Sequence, residues 1–349
     1  MPLMTEKDIK VHLRGENLGG LYLFCGTESY LKEFYAQKLK TKAVSDDFAD
    51  FNYHFFDGTK CSLDQIEQAV EAFPMMSQTS CVFVKDMPVD TFNAADAKNL
   101  EAFIKDVPQY CALIFYISKT DTNIRKGEKA RRVFSLFEKY GMVVELNKRT
   151  AMELSKLTVN AAQKRGAILS PKNADYLVDT VGDDMTTLFN EIEKLCAYAK
   201  GREITRADID LLCIKTIEAS AFDLAKYIVA DNFEKAYSAL NILLNQRADE
   251  MLIMGAVISA FVDLYRVKVS LAAGCRAEKP AEIFSYRGRE FRLRNAQRSS
   301  ASLSINALRR CLDELHEADM KLKGSAVDKR LVLEELIVKL ILVIESEKR

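Results

Sequence analysis

The stretch that decides the fold is residues 21–33, with the sequence LYLFCGTESYLKE. Its first five residues are apolar, as expected of a strand that is buried on both faces of a parallel sheet. Gly26 then interrupts the apolar run. Apolar residues follow at the spacing of one helix face, at Leu31, Phe34, Tyr35 and Leu39. The sequence therefore predicts a buried strand, a glycine turn and a helix in direct succession.

A strand, a glycine turn and a helix also form the phosphate loop of nucleotide-binding proteins, whose consensus is G-x-x-x-x-G-K-[ST]. Gly26 and Lys32 match this template, whereas Leu31 replaces the second glycine and Glu33 replaces the hydroxyl residue that binds magnesium. A leucine hinders close approach of the backbone to phosphates, and a glutamate adds negative charge beside a polyphosphate. We interpret the stretch as a degenerate P-loop that keeps the fold and loses the nucleotide site. It indicates a partner-binding relative of ATPases.

Composition narrows the class of protein. The 349 residues suffice for two or three domains, and 48% of them are hydrophobic. The 50 Lys and Arg balance the 50 Asp and Glu, which argues against a dedicated nucleic-acid coat but allows a local basic patch. The eight cysteines form no C-x-x-C pair, as expected of reduced thiols. The amino terminus has no signal-like apolar core and no apolar run could span a bilayer, so we expect a cytoplasmic protein.

Strands and helices alternate in the first part of the chain. Short apolar runs predict strands at 21–25, 51–56, 81–85, 111–118 and 142–146. Polar helical stretches separate them at 29–42, 62–72, 93–106 and 128–140. This alternation predicts an α/β domain over residues 1–147, with a mostly parallel sheet and right-handed crossovers.

The pattern becomes helical after residue 147. Thr150 and Glu153 form a capping box, and Ser170-Pro171 gives a second helix start. We predict a small helical domain at 148–212 and a helical bundle at 213–349. The bundle's predicted helices lie at 221–230, 232–246, 249–273, 304–322 and 328–346.

Six segments, in order along the chain, resemble the delta subunit of the bacterial DNA polymerase III clamp loader. They are YLFCGTESYLKE (22–33), AFPMMSQTSCVFV (72–84), LIFYISKTD (113–121), NEIEKLCAY (190–198), FDLAKYIVADN (222–232) and DMKLKGS (319–325). The resemblance implies an AAA+-like first domain that does not hydrolyse ATP, a helical lid domain and a helical collar. It also implies a bacterial replication protein that binds and opens the sliding clamp (beta).

The same resemblance implies a set of partners and excludes others. The collar would join ATPase subunits of the gamma/tau type and a delta-prime-type subunit, and the assembled complex would act on primed DNA. The chain would belong to a DNA-directed DNA polymerase holoenzyme, a nucleotidyltransferase, without a catalytic residue or cofactor of its own. No membrane partner is expected.

The resemblance places the clamp-binding element at the helix end before the third strand, at Phe73, Pro74, Met75 and Met76. The family usually has proline and two large apolar residues there, often aromatic, so the methionines are a departure. Polar flanking residues indicate a surface position, and flexible methionine side chains suit a pocket on another protein. The alternative is that Met75 and Met76 pack beneath the sheet.

Two basic stretches are candidates for contact with DNA or other subunits. The first comprises Arg125, Lys126, Lys129, Arg131 and Arg132, and its alternative is a solvated helix face. The second lies in the predicted collar and comprises Arg287, Arg289, Arg292, Arg294 and Arg298. The sequence does not decide between DNA and subunit contact there. The interleaved aromatic residues Phe284, Tyr286 and Phe291 are predicted to be core residues.

No constellation of residues indicates catalysis. The strand that should carry the acidic pair of an ATPase ends in the single acid Asp86. His12, His54 and His316 lie far apart, so no metal site is expected. Two alternatives remain: a P-loop NTPase with an atypical loop, which predicts ATP binding, and a stand-alone helical nucleic-acid-binding protein, which predicts salt-sensitive DNA binding.

Overall fold

A computed structural model describes residues 3–16, 18–89, 91–120, 127–245, 249–284, 286, 291–324 and 327–348. The chain divides into two compact units, Met1–Lys148 and Arg149–Arg349. The first contains a parallel sheet with helices, and the second is mostly helical. The division of the second unit into a lid and a collar at residue 212 stays a prediction.

The first unit is built on one sheet of five parallel strands in the order β2-β3-β4-β1-β5. These are β1 (Gly20–Cys25), β2 (Tyr53–Asp57), β3 (Ser80–Lys85), β4 (Cys111–Tyr116) and β5 (Met142–Glu145). In β1, which lies between β4 and β5, Leu23 pairs with Phe115 of β4 and Val143 of β5. All six residues of β4 are buried, which explains why the central strands are continuous apolar runs. The predicted parallel sheet is confirmed.

In the described part of the first unit, six α-helices accompany this sheet: α1 (Glu6–His12), α2 (Ser29–Ala43), α3 (Ala49–Asn52), α4 (Leu63–Glu71), α5 (Ala94–Ile104) and α6 (Glu128–Tyr140). Capping boxes at Ser62 and Asn93 start α4 and α5. The predicted strand 51–56 was wrong in its first two residues, because they belong to α3 and β2 begins at Tyr53. The side chain of Asn52 binds the carbonyl of Phe48 one helical turn back, and the apolar pattern does not reveal this contact.

The second unit contains α7 (Ala151–Lys164), α8 (Pro171–Val181), α9 (Met185–Ala199), α10 (Arg206–Leu212), α11 (Ile217–Val229), α12 (Phe233–Asn245), α13 (Glu250–Ala272), α14 (Pro280–Ile283), α15 (Phe291–Ser299), α16 (Ile305–Gly324) and α17 (Lys329–Lys348). The capping box of Thr150 and Glu153 starts α7, and Pro171 lies in the first turn of α8, as predicted. The two short helices α14 and α15 were not predicted. No helix in the described parts of the chain has the length and apolar character needed to cross a membrane.

Candidate functional site

The lysine of the degenerate P-loop lies inside the first unit. Lys32 is 0% exposed, and its Nζ donates hydrogen bonds to the carbonyls of Ile117 (2.8 Å), Ser118 (3.2 Å) and Lys119 (3.1 Å). An ammonium group has three N–H bonds, so these three carbonyls engage all of them. Burial lowers the pKa of Lys32, and nearby acidic side chains oppose this effect. In a working P-loop the lysine contacts phosphate. Here Lys32 instead fixes the backbone that follows β4.

The acid at the end of β3 acts on the same backbone segment. The carboxylate of Asp86 accepts hydrogen bonds from the backbone N–H and the hydroxyl of Ser118, both at 2.7 Å. In an ATPase, an acid at this strand end would hold magnesium. Here Asp86 and Lys32 together fasten residues 117–119, so both have structural roles.

The turn between β1 and α2 is packed against the end of β5. Gly26 has φ +114, and a side chain on it would lie within 2.1 Å of the carbonyl oxygen of Leu146. That carbonyl accepts a hydrogen bond from the N–H of Glu28 (3.0 Å). The N–H of Thr27 donates to the side-chain oxygen of Asn147 at 3.1 Å. Two amides of the kind that cradle phosphate in a P-loop are therefore engaged within the protein.

An internal carboxylate occupies the amino-terminal end of α2. Glu28 is 4% exposed, and its Oε1 accepts a hydrogen bond from the N–H of Tyr30 at 3.1 Å. The amino terminus of a helix stabilises a negatively charged group, which in a P-loop is a phosphate. Here the carboxylate of Glu28 takes that position. Leu31 is buried, while Glu33 is exposed and accepts a hydrogen bond from the side chain of Gln37. Glu28 was not predicted as a site residue, although an acidic residue at the start of a helix is a recognisable sequence signal.

The segment 73–76 (Phe73, Pro74, Met75 and Met76) lies on the surface between α4 and β3. Phe73 is 79% exposed, Met75 57% and Met76 81%. The alternative that the two methionines pack beneath the sheet is wrong. Three large apolar side chains exposed within four residues form a cluster of the kind that marks a partner site.

Neighbouring residues hold the ends of this segment. The ring of Phe73 stacks on Tyr110 with centroids 5.0 Å apart, and the Tyr110 hydroxyl donates to the carbonyl of Glu71 at 3.0 Å. On the other side, the Thr79 hydroxyl donates to the carbonyl of Ala43 at the end of α2. The segment is thus an ordered turn with exposed side chains.

The basic candidates differ in their surroundings. Arg125, Lys126, Arg287 and Arg289 lie outside the described residues. Lys129, Arg131 and Arg132 are exposed on α6. The opposite face of that helix is buried through Ala130, Val133, Phe134 and Phe137. In the part that the structure describes, the first basic stretch therefore lies on a solvent-facing helix surface.

Arg292 in the second unit is committed to an internal ion pair. Its Nη2 lies 2.7 Å from a carboxylate oxygen of the buried Asp263 and donates to the Ser259 hydroxyl at 2.8 Å. The hydroxyl of Tyr286 donates to the other oxygen of Asp263 at 2.6 Å. Arg294 is exposed, so of these two arginines Arg294 is the better placed to contact a partner.

The aromatic residues beside the second basic stretch have different environments. Tyr286 is buried, as predicted, at 7% exposure. Phe284 was predicted to be a core residue, but it is 41% exposed, and the centroid of its ring lies 3.6 Å from the guanidinium carbon of Arg266. A cation over its ring takes the place of apolar packing there. The side chain of Phe291 is not among those that the structure describes.

Within the described ranges, no group of three or more His, Cys, Asp and Glu side chains is arranged to hold a metal ion. The eight cysteines remain as thiols. Of the residues that align with the P-loop template, Lys32 binds backbone carbonyls of the protein and Glu33 binds the side chain of Gln37.

Together, the parallel α/β unit with a degenerate P-loop and the helical unit after it define an AAA+-like, clamp-loader-type architecture. Residues 22–147 match the family model described as DNA polymerase III, delta subunit, and residues 218–340 match that of the DNA polymerase III delta subunit, C-terminal domain. The chain belongs to this family of clamp-loader delta subunits.

Individual relatives support the assignment along most of the chain. The DNA polymerase III subunit delta of Bacillus subtilis is 24% identical over 341 residues, which cover 96% of each chain. A probable DNA polymerase III subunit delta of Aquifex aeolicus is 24% identical over 263 residues, covering 71% of this chain and 70% of that one. The solved structure of the Bacillus subtilis DNA clamp loader delta protein (YqeN) superposes with a TM-score of 0.61 at 24% identity, covering 96% of this chain and 99% of that one. The shared fold thus extends over both units.

Proposed function

We propose that this chain is the non-ATPase subunit of its clamp loader that binds the sliding clamp and opens it for loading onto primed DNA. The segment 73–76 is the contact. The observation that carries this proposal is the exposure of Phe73, Met75 and Met76, at 57–81%, on one ordered turn. Water around such a cluster is released when a partner covers it, and this release favours association.

The chemistry of the segment suits an apolar pocket on the clamp. Methionine side chains are flexible and polarizable, so they adapt to an irregular pocket. The stacked Phe73 ring adds a large apolar contact with few rotatable bonds. Central anchors of this type dominate the binding energy of protein interfaces, typically about 2 kcal/mol or more each.

The nucleotide chemistry of the complex belongs to other subunits in this proposal. Lys32 and the amides of Thr27 and Glu28 bind internal acceptors, so the degenerate P-loop offers these groups to no nucleotide. ATPase subunits of the gamma/tau type would supply ATP binding and hydrolysis. Their nucleotide state would control access of the clamp to the segment 73–76.

Assembly with those ATPases and a delta-prime-type subunit would occur through the predicted collar, residues 213–349. Exposed apolar residues at helical spacing on α17 support a protein contact there: Leu331, Val338 and Leu342. Primed DNA in the assembled complex could be contacted by exposed cations of the basic stretches, namely Lys129, Arg131, Arg132 and Arg294.

The test is calorimetric binding of the purified chain to the sliding clamp of its own organism, without nucleotide. We expect Met75→Ala/Met76→Ala to weaken binding about 30-fold or more, equivalent to about 2 kcal/mol. The matched control is Met152→Ala/Met320→Ala, since these methionines are 68% and 57% exposed in the other unit, and it should bind like the parent.

Each outcome decides a separate point. No binding by the folded parent would reject clamp gripping. Tight binding that is equal in parent and Met75→Ala/Met76→Ala would retain the function and reject the segment 73–76 as its site.

A further inference from the structure

Asn52 is a fully buried polar side chain that joins α3 to the segment 73–76. Its Nδ2 donates to the carbonyl of Met75 at 2.8 Å and to the carbonyl of Phe48 at 3.2 Å, and its Oδ1 accepts from the N–H of Met75 at 2.7 Å. Both polar groups of the Met75 backbone are therefore bound by one side-chain amide. Neighbouring strands of a sheet exchange the same two kinds of hydrogen bond between their backbones. Here the side-chain amide of a residue 23 positions earlier takes the place of the second backbone.

The residue that follows this pair has an unfavourable backbone conformation. Met76 has φ +54, in the left-handed region that costs free energy for any L-residue with a Cβ. Methionine has no short polar side chain that could stabilise the conformation locally, so surrounding contacts must impose it. The clamped peptide groups of Met75 are the nearest such contact.

The clamped conformation is also the one that presents the apolar side chains. Met75 and Met76 are exposed although the backbone of Met75 is tied to a buried residue. A partner that binds this turn has no backbone polar group of Met75 to desolvate. It also meets a loop that is already ordered, and pre-ordering lowers the cost of binding.

We propose that Asn52 is the positioning residue of the segment 73–76: its amide fixes the Met75 backbone, holds Met76 in the left-handed conformation and so directs both methionines towards the partner. The identity of that partner rests on the proposed function, and the positioning itself does not. Asn52 touches no partner in this account and acts only through the turn.

The first experiment needs no partner. Hydrogen exchange followed by NMR should show the Met75 amide protected in the parent. In Asn52→Ala we expect exchange at Met75 to accelerate about tenfold or more, with amides of the central strands, such as Phe115, still protected. An unprotected Met75 amide in the parent, or unchanged protection in Asn52→Ala, overturns the proposal. Asn52→Ser, whose hydroxyl is too short to pair with both groups of Met75, serves if Asn52→Ala does not fold.

The second experiment separates positioning from general stability by a double-mutant cycle of clamp affinity. We expect Asn52→Ala to weaken binding about tenfold in the parent, and not at all in Met75→Ala/Met76→Ala, because the side chains that it positions are then gone. Equal losses in both backgrounds overturn the proposal. Asn173→Ala is the control, since this amide also binds a distant carbonyl, that of Ile204 at 2.9 Å, but lies in the other unit.

The two experiments fail separately. If the parent does not bind the clamp while Asn52→Ala releases the protected Met75 amide, the proposed function is rejected and the positioning of the turn by Asn52 is retained. If the parent binds the clamp and the Met75 amide is unprotected, the reverse holds.

Discussion

Lys32 carries a buried ammonium group that is bound to three consecutive backbone carbonyls. A buried charge is tolerated only when its hydrogen bonds are satisfied, and the carbonyls equally need donors once they leave water. The lysine and the segment 117–119 therefore depend on each other. This dependence gives Lys32 a structural role that needs no bound nucleotide.

Replacement of Lys32 by methionine should destabilise the protein. The aliphatic stem is preserved, but three carbonyls lose a charged donor, so we expect the free energy of unfolding to fall by about 2 kcal/mol. The measurement is urea denaturation of the full chain. Lys38→Met is the matched control, because Lys38 is an exposed lysine on the same helix, and equal midpoints for the two variants would contradict the structural role of Lys32.

Asp179 in α8 should make stability depend on pH. Burial raises its pKa to about 6, and Asp175 acts in the same direction, whereas Asn295 and Arg294 oppose the shift. The folded protein therefore keeps this proton up to about pH 6, while the unfolded chain releases it near 3.8. Stability from this group is present below about pH 4 and is lost as the pH rises through 6.

Asp179→Asn removes that loss, because the amide stays neutral at every pH. We expect the variant to be more stable than the parent by about 1–2 kcal/mol at pH 7.5, and the difference to shrink towards zero at pH 4. Urea denaturation of both proteins at the two pH values measures this. A difference that is the same at both would show that the proton of Asp179 is not responsible.

Among the secondary-structure elements, those held by apolar burial were predictable and those held by polar contacts were not. The strands β1, β3, β4 and β5 were located from apolar runs, whereas the run that predicted β2 was wrong in its first two residues. In contrast, Leu293 and Ala296 are the fully buried apolar residues among the side chains of α15 that the structure describes, and the helix is anchored by the ion pair of Arg292 with Asp263. A nine-residue helix with so little apolar periodicity gives no sequence signal.

In the candidate site too, some features could be predicted from the sequence and others, which depend on polar contacts, could not. Exposure of the segment 73–76 followed from its polar flanks, and the degenerate P-loop followed from its motif. The contacts that shape them did not, because Asn52 is 23 residues from Met75 and Asn147 is 120 residues from Thr27. Nothing local in the sequence specifies which distant amide completes a turn.

The amino-terminal turn of α2 should not bind ATP even when its consensus is restored. Leu31→Gly/Glu33→Thr recreates the P-loop pattern, but the amides of Thr27 and Glu28 remain bound to Asn147 and Leu146. We expect calorimetry with Mg-ATP to detect no binding to the parent or to this variant. Binding to the parent would support the NTPase alternative, and binding to the variant alone would mean that Leu31 and Glu33 were the whole obstacle.

For the whole molecule, the equal numbers of acidic and basic residues favour a function as a subunit of a protein complex over DNA binding by the isolated chain. The 50 basic residues are matched by 50 acidic ones, and Arg292, one of the candidates for DNA contact, is already paired with Asp263. Tight binding of DNA by an isolated protein depends on many unpaired cations that displace counterions. A cluster of exposed apolar side chains such as the segment 73–76, in contrast, indicates a protein partner, and this favours a clamp-loader subunit over a stand-alone nucleic-acid-binding protein.

At the scale of the complex, a subunit that opens the ring-shaped clamp must satisfy a thermodynamic condition. A subunit shifts the clamp towards the open state only by its differential affinity for the open and closed rings. We therefore expect this chain to bind a clamp whose subunit interfaces are locked by engineered disulfides more weakly than the same clamp after reduction. Each tenfold ratio between the two dissociation constants corresponds to about 1.4 kcal/mol available for opening.

A peptide of residues 71–79 is the control for this measurement, because a contact confined to one pocket does not depend on whether the ring can open. The peptide lacks Asn52 and Tyr110, so it should bind more weakly than the full chain, but with the same affinity for the locked and the reduced clamp. If the full chain also binds both forms equally, the segment 73–76 grips the clamp without opening it, and ring opening must then come from other subunits. If only the full chain distinguishes them, surfaces of this chain beyond the segment 73–76 supply the opening energy.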